Sequence, residues 1–419
     1  MRTFLEQSAA MDSFQYLWNG PNLGLLTIAS LLPDDWECEY IDENYKPIDF
    51  EADYDIVFIS AMTQQAMNAY HISQKFRQRG ILTVLGGIHA TTMLEETSQY
   101  ADVVIAGEGE PLVPNFIRDY QNGCTQRIYK EDNPGFFPIE NSPLPRYEFL
   151  EDYDYPIISL QTTRGCPQKC TFCAASRVFG TKYRRKDNDQ IIEELKIIKD
   201  KFPGKLVLFA DDNLLVLRKQ SKDLLRRIAE LDLRWIAQTD ISIAKDDELL
   251  SLMVKAGCQW IVIGFESVSY NSLYNLDPDN WKLKQLPKYK EHIAKIQDVG
   301  ISIYGTFMVG LDHDHAGIFD NVVDFIKESN LYGVNVTVPT PLPGTELREQ
   351  LQAENRILDK DWSYYTFWDI TIKPLHFTVE ELENGLIYIY NKITDEIDVK
   401  TRLRSLRQTV KKQYYLNRQ

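Results

Sequence analysis

Short apolar runs of strand length alternate with helix-length amphipathic segments twice over in this 419-residue chain. No other feature restricts the fold as much. In the first 110 residues the runs Glu37 to Ile41, Asp55 to Ser60 (DIVFIS), Ile81 to Leu85 (ILTVL) and Asp102 to Ala106 (DVVIA) read as strands, with Met1 to Leu5 a weaker first one. Helical patterns at Leu23 to Leu32, Ala66 to Arg79 and Thr92 to Tyr100 lie between them. Alternation at this spacing predicts a doubly wound α/β domain, a parallel sheet with helices on both faces. The turns SAMT, GGIHATT and GEGE follow the third, fourth and fifth strands. They therefore sit at the carboxyl ends, where open sheets bind ligands.

The stretch from Asp132 to Tyr155 is rich in Pro, Asn and acidic residues and has no sustained period, so it reads as a surface linker. A second series then begins, with strands at PIISLQ, KLVLFA, RWIAQ, WIVIGF, ISIYGTFMV and GVNVTV. Helical stretches separate them at Asn188 to Phe202, Gln220 to Leu231, Asp246 to Ala256, Lys282 to Val299 and Gly317 to Asn330. Six strand-helix repeats predict a partial (β/α)6 barrel of the TIM type, with chemistry at the carboxyl ends of its strands. The expected domains are residues 1–125, a linker at 126–154, the barrel at 155–345 and a mainly helical region at 346–419. An aromatic patch, WSYYTFW (Trp362 to Trp368), lies in the last of these, where it reads either as core or as a pocket wall.

Composition permits a packed enzyme, with 44% hydrophobic and 26% charged residues. KLVLFA and WIVIGF fall far short of the roughly 18 apolar residues that cross a bilayer, and Met1 to Gln15 lacks a basic start followed by an apolar core. No transmembrane segment and a cytoplasmic location are expected. A formal charge of −15 argues against a nucleic-acid partner, although Lys400 to Gln419 holds seven Lys or Arg and no acid.

Three of the six cysteines, Cys166, Cys170 and Cys173, fall within eight residues on a loop that follows the first barrel strand, in TTRGCPQKCTFCAASRVFG. In a reducing compartment clustered thiols bind metal or do catalysis. Three thiolates at this spacing each ligate one iron of a 4Fe-4S cube and leave the fourth iron open. A structural zinc site needs four ligands, and no second half-site is present. Cys38, Cys124 and Cys258 come from unrelated segments. His313 and His315 flank Asp314 in a charged loop, which reads as solvated because no third ligand is in view.

The pattern CxxxCx(aromatic)C, with Phe172 as the aromatic residue, resembles the radical S-adenosylmethionine (SAM) enzymes from about Tyr155 to Leu347. The resemblance implies that SAM chelates the open iron and is cleaved by an electron to give a 5'-deoxyadenosyl radical. It also implies a flavodoxin- or ferredoxin-type electron donor. FADDN (Phe209 to Asn213) ends the second barrel strand, where the family places polar groups near the methionyl part of SAM; Asp211 and Asp212 are the candidates. Asp212 or Asn213 could equally cap a helix. By the same resemblance Glu266 and Ser267, in IGFES, contact the ribose or the carboxylate of SAM. Met308 and Gly310, in GTFMVGLD, line the adenine, and TPLPGTEL matches the exit from the sixth strand. Gln238 and Asp240, ending the third strand, are weaker candidates. An unpaired carboxylate at Glu266, directly after an apolar strand, requires a partner. Gly305 and Gly310 are also what a strand under close backbone approach would carry.

The first 110 residues resemble the Rossmann-like cobalamin-binding domain that precedes this barrel in one large subfamily, most clearly at GGIHATT and GEGE. The resemblance implies that Ser60, Thr63, Gly86, Gly87, His89, Glu108 and Gly109 border the corrin. None of the six histidines has an Asp two residues before it, so the DxHxxG motif for a histidine cobalt ligand is absent. His89 is expected as a turn or tail-contact residue. The expected cofactors are a 4Fe-4S cluster, SAM and cobalamin. The expected reaction is methylation of an unactivated carbon in a small or lipid-like substrate, with ring formation or rearrangement as the alternative. A tRNA methylthiotransferase would need further N-terminal cluster cysteines, and an iron-sulfur electron carrier would ignore SAM.

Overall fold

The computed structural model describes residues 20–131, 135 and 137–395, and positions 400, 404, 408, 411 and 412 of the tail. The strand expected at Met1 to Leu5 lies outside them, as does most of the basic tail.

The first sheet is parallel throughout, in the order β1 (Ile56–Ser60), β2 (Leu82–Gly86), β3 (Val103–Ala106), β4 (Ile128–Lys130). Its strands are apolar on both sides because both faces are covered. Leu85 and Val104 pack with Ala66, Ala69 and Tyr70 of the helix Ala66–Gln78. Val84, Val103 and Ile105 pack with Val113 and Phe116 of the helix Gly109–Gln121. Two expectations shift. Glu37 to Ile41 forms no strand, and β4 extends the sheet into the stretch read as linker.

The second sheet begins with β5 (Ile157–Leu160) and is followed by a small antiparallel ribbon of β6 (Thr163–Arg164) and β7 (Arg184–Arg185). It continues with β8 (Leu206–Phe209), β9 (Trp235–Gln238), β10 (Cys258–Glu266), β11 (Ser302–Met308) and β12 (Gly333–Thr337). The strands pair in sequence order, all parallel, and no β5 to β12 ladder closes the sheet among the described residues. This is the expected partial barrel, with all six strands where the apolar runs place them. Asp187 and Asp246 cap the helices Asn188–Lys201 and Asp247–Lys255, accepting from Gln190 at 2.8 Å and Leu249 at 3.0 Å. Lys282 to Val299 is interrupted: Trp281–Gln285 and Tyr289–Asp298 are helical, and a 3-10 turn at Leu286–Lys288 joins them where Pro287 cannot continue the hydrogen-bond ladder.

The C-terminal region supplies the helices Glu346–Ala353 and Val379–Ile393. The second joins the barrel core through Leu382, Leu386 and Ile389. Residues of all three parts meet at the carboxyl ends of both sheets.

Candidate active site

The thiol loop leaves β5 and is fixed at its root by Asp211. This residue is fully buried at the end of β8, and its carboxylate accepts from the Thr162 amide at 2.9 Å, the Thr163 amide and the Thr163 hydroxyl at 2.7 Å. Burial raises its pKa to about 6, against those hydrogen bonds. Asp211 therefore departs from the expected SAM contact: its acceptor capacity is spent on the strand exit that leads to Cys166. Asp212 is exposed and makes no helix cap. Its carboxylate acts electrostatically on Cys166 and Cys173, so it lies on the thiol side of the barrel mouth. Protein surrounds the carboxyl closely enough that burial raises it to about 6 even though solvent reaches the residue. Gln238, ending β9, is half-buried.

All six cysteines are free, and Cys170 is buried. Burial pushes the free thiols up, Cys166 to about 11 and Cys170 to about 12, with Cys173 raised as well. Amides oppose this: Gln168 donates to Cys166, while Ala175 and Ser176 donate to Cys173. The loop thus presents three sheltered sulfurs with backbone donors already aimed at two of them. Phe172 packs with Leu273, Leu276, Leu283 and Met308, which brings the aromatic residue of the motif and an expected SAM neighbour into one apolar cluster.

Glu266 ends β10 at φ +64°, beyond a register shift against β11. A bulge of this kind re-aims a side chain. Its carboxylate has the partner that burial demands: Lys282 Nζ lies 2.9 Å from Glu266 Oε1 and donates to the Gly264 carbonyl at 2.8 Å. Burial alone would lower the Lys282 pKa, but Glu266 and the nearby Cys170 outweigh it and raise it. Ser267 is fully buried and accepts from the Ser269 amide at 3.1 Å. Gly310 departs from the adenine-lining expectation. A Cβ there would come within 2.6 Å of Leu382, so the glycine admits the helix Val379–Ile393, and its amide donates to the buried Asp314 at 3.0 Å. Asp314 also accepts from Ser272 and from the Leu311 amide at 3.1 Å, so this residue of the His313–His315 loop is structural rather than solvated.

A cavity of about 360 Å³ separates the two sheets and opens to solvent. Ser60, Gly86, Gly87, Glu108 and Gly109 line one side, and Ser159, Gln161 and Arg164 line the other. At Gly87, φ is +91° and a Cβ would come within 3.0 Å of the Ala61 carbonyl and Ser60 Oγ, so the turn is open only to glycine. Thr63 is buried beside the cavity without lining it. His89 also stands outside it. Its Nε2 shares a 2.8 Å hydrogen bond with the Tyr70 hydroxyl, and its ring meets Trp362 edge-on at 5.2 Å. Burial, helped by Arg348 and opposed by Glu96, lowers its pKa to about 4. His89 therefore joins the first domain to the aromatic patch, whose Trp362 donates to Glu96 at 2.6 Å.

Residues 160–349 match the model of the Radical SAM superfamily, and residues 15–117 match the B12 binding domain. The chain belongs to the radical SAM enzymes that carry a B12-binding domain. It is 27% identical over 381 residues to the bacteriochlorophyllide d C-12(1)-methyltransferase of Chlorobaculum tepidum, covering 88% of this chain and 82% of that protein. The C-8(2)-methyltransferase of the same organism is 29% identical over 392 residues, covering 88% and 86%. In fold it resembles the radical SAM methyltransferase TsrM of Kitasatospora setae, solved with cobalamin and a 4Fe-4S cluster, at TM-score 0.68 and 16% identity over 90% of this chain and 85% of that one.

This radical SAM enzyme takes a 4Fe-4S cluster, SAM and cobalamin. The donor set fits the cluster. Among the described residues no three His, Cys, Asp or Glu side chains converge on one point as a single ion would require, whereas a cube takes each thiolate at a separate iron. The glycine-lined wall of the cavity fits a large planar ligand that must approach the backbone. Sequence reading missed Arg164, Arg184 and Lys282. The first two carried a signal, since Tyr155 to Lys186 holds seven Lys or Arg and no acid. Lys282 carried none, because its partner is 16 residues away in a different element.

Proposed function

We propose that this enzyme methylates a carbon atom of a small, largely apolar molecule bound between its two sheets. The observation that carries this reading is the placement of the cavity: one wall is the ligand edge of the B12-binding sheet and the other is the mouth of the barrel where the thiol loop begins. The named substrates of the two Chlorobaculum relatives, bacteriochlorophyllides, support a tetrapyrrole or similarly flat apolar substrate. When bound, the cluster and SAM supply hydrogen abstraction, and cobalamin supplies a transferable methyl group.

The chain's own residues provide position and shelter. Cys166, Cys170 and Cys173 hold the cluster, and the amides of Gln168, Ala175 and Ser176 steady the thiolates. Asp211 fixes the root of the loop, and Lys282 holds the Glu266 carboxylate at the mouth. Asp212, an acid whose charge reaches Cys166 and Cys173, suits the amino group of SAM. Phe172 and Met308 offer an apolar wall, while Gly86, Gly87 and Gly109 form the floor under the corrin. In this reading a flavodoxin- or ferredoxin-type protein supplies the electron, and the exposed Lys169 and Lys182 on the thiol loop suit an acidic one. Among the described residues no helix is long and apolar enough to cross a membrane, and six free cysteines accord with a reducing cytoplasm.

The test is anaerobic reconstitution followed by incubation with methyl-labelled SAM and candidate tetrapyrroles. Transfer of one labelled methyl group to carbon, lost in Cys170→Ala, is the expected result. A product with a new ring and no labelled methyl would replace methylation with cyclisation.

A further inference from the structure

Two arginines and two glutamates form a buried network in the wall of the cavity. Arg164 Nη1 lies 2.7 Å from Glu108 Oε1, and Arg164 Nη2 lies 2.7 Å from Glu110 Oε1. Arg184 Nη1 reaches the other Glu108 oxygen at 2.6 Å. Ser142 donates to Glu110 at 2.6 Å, and Arg164 Nε donates to Gln161 at 2.8 Å. The Glu108 side chain is only 1% exposed and that of Arg164 only 11%. Glu108 thus borders the cavity as expected, but its carboxylate is committed to arginines.

The two ends of this network lie at the two cofactor sites. Glu108 and Glu110 flank the start of the helix Gly109–Gln121, in the turn that forms part of the B12-side wall. Arg164 stands two residues before Cys166. The backbone between them has little freedom: Gly165 is at φ +87°, where a Cβ would come within 2.4 Å of the Lys182 carbonyl. The β6–β7 ribbon pairs Arg164 with Arg184, so both guanidiniums move with the root of the thiol loop. Buried ion pairs are a poor source of net stability, since desolvation offsets their attraction, but a two-pronged guanidinium fixes distance and orientation. A domain contact that needed only adhesion would be better made of apolar groups.

Resting on the reading that both cofactors bind, we propose that Arg164 is a positioning residue that sets the separation and orientation of the cluster relative to the corrin. It touches neither. Its fork holds the root of the cluster loop against the turn that walls the corrin cleft, so shortening or removing it lets one cofactor drift relative to the other.

The experiment uses the full chain, reconstituted anaerobically with iron and sulfide and loaded with hydroxocobalamin. Iron and corrin contents are measured first. After reduction, dipolar electron paramagnetic resonance between cobalt(II) and the reduced cluster reads their distance distribution. Wild type and Trp362→Phe, which alters a separate contact of the same domain, are expected to give the same narrow distribution. Arg164→Met, loaded with both cofactors, is expected to give a broadened or displaced one. Arg164→Lys, which keeps the charge and loses the fork, is expected to fall between them. A fully loaded Arg164→Met with the wild-type distribution overturns the proposal. Should Arg164→Met fail to fold or load, Glu110→Gln weakens one prong and decides in its place: broadening supports the proposal and an unchanged distribution overturns it. Wild-type protein that takes up no corrin or no cluster overturns the functional reading itself, and this proposal with it.

Discussion

Asp211→Asn should erase a pH dependence of stability that the wild-type chain carries. The carboxyl is fully buried, and burial raises it to about 6, whereas an aspartate in an unfolded chain titrates near ~3.9. The folded state therefore holds this proton more tightly. Its stabilising contribution is fully present below about pH 4 and is lost as pH rises through about 6. A shift of about two pKa units at ~1.4 kcal/mol each gives roughly 3 kcal/mol across that window. Asparagine keeps the oxygen that receives both threonine amides and cannot ionise. Urea unfolding of both proteins at about pH 4.5 and 7.5 measures the effect, and the variant should gain about 2–3 kcal/mol on wild type at the higher pH. Asp211→Ala provides the contrast. It leaves the Thr162 and Thr163 amides buried without an acceptor, at ~1–3 kcal/mol each, and should lower iron uptake at both pH values. Parallel pH profiles for wild type and Asp211→Asn would refute the reasoning, because the hydrogen bonds would then compensate the buried charge fully.

Lys282→Met leaves Glu266 without its cation at the barrel mouth; breaking a buried pair of this kind costs about 3 kcal/mol, and SAM titration of the reconstituted protein should show weaker binding than in Lys282→Arg. Gly87→Ala forces a side chain into φ +91° against the Ala61 carbonyl, a strain of about 1–3 kcal/mol, and should reduce corrin uptake measured by absorbance. His89 gives the opposite pH sign to Asp211. Its pKa falls from the ordinary 6.5 to about 4, so its contribution is present above about 6.5 and is lost as pH falls toward 4; His89→Gln should abolish that loss in thermal unfolding.

The parts legible in the sequence were those that repeat. Continuous apolar runs such as DIVFIS and KLVLFA mark buried parallel strands because both faces of each sheet are covered, and every barrel strand lies where its run lies. Glu37 to Ile41 misled for the same reason in reverse. It has strand-like residues but no neighbouring ladder to join, and tertiary pairing decides strand formation more than propensity does. At the site, the grouping of Cys166, Cys170 and Cys173 was legible because a cluster loop demands local spacing. The assignment of roles to Asp211, Ser267 and Gly310 was not legible, since a buried acid tying two strand exits and an acid facing a ligand look identical in one dimension. Only the geometry separates Asp211, turned back onto Thr162 and Thr163, from Asp212, whose charge reaches Cys166 and Cys173.

The charge pattern of Tyr155 to Lys186 leads to a property of the metal-free protein. Seven basic residues and no acid occur there in a chain of formal charge −15, so attraction to the rest of the molecule is built into the segment. Three of the seven are turned inward onto carboxylates from other elements. Arg164 and Arg184 meet Glu108 and Glu110, while Lys186 meets Glu194 at 2.7 Å on the helix Asn188–Lys201, where Tyr147 also donates at 2.6 Å. Those contacts, with the Lys186 amide donating to the Thr162 carbonyl at 2.9 Å, hold the loop at both ends without using a thiol. The loop should therefore keep its shape before iron arrives, unlike metal sites whose ligands are ordered only by the metal. Hydrogen exchange on the apo chain tests this directly. The Lys186 amide should be protected in wild type, and Arg184→Met should raise exchange across the β6–β7 ribbon while leaving β5 and β8 slow. Rapid exchange throughout residues 162–186 of wild-type apo protein would mean that the cluster, and not the ion pairs, organises the loop.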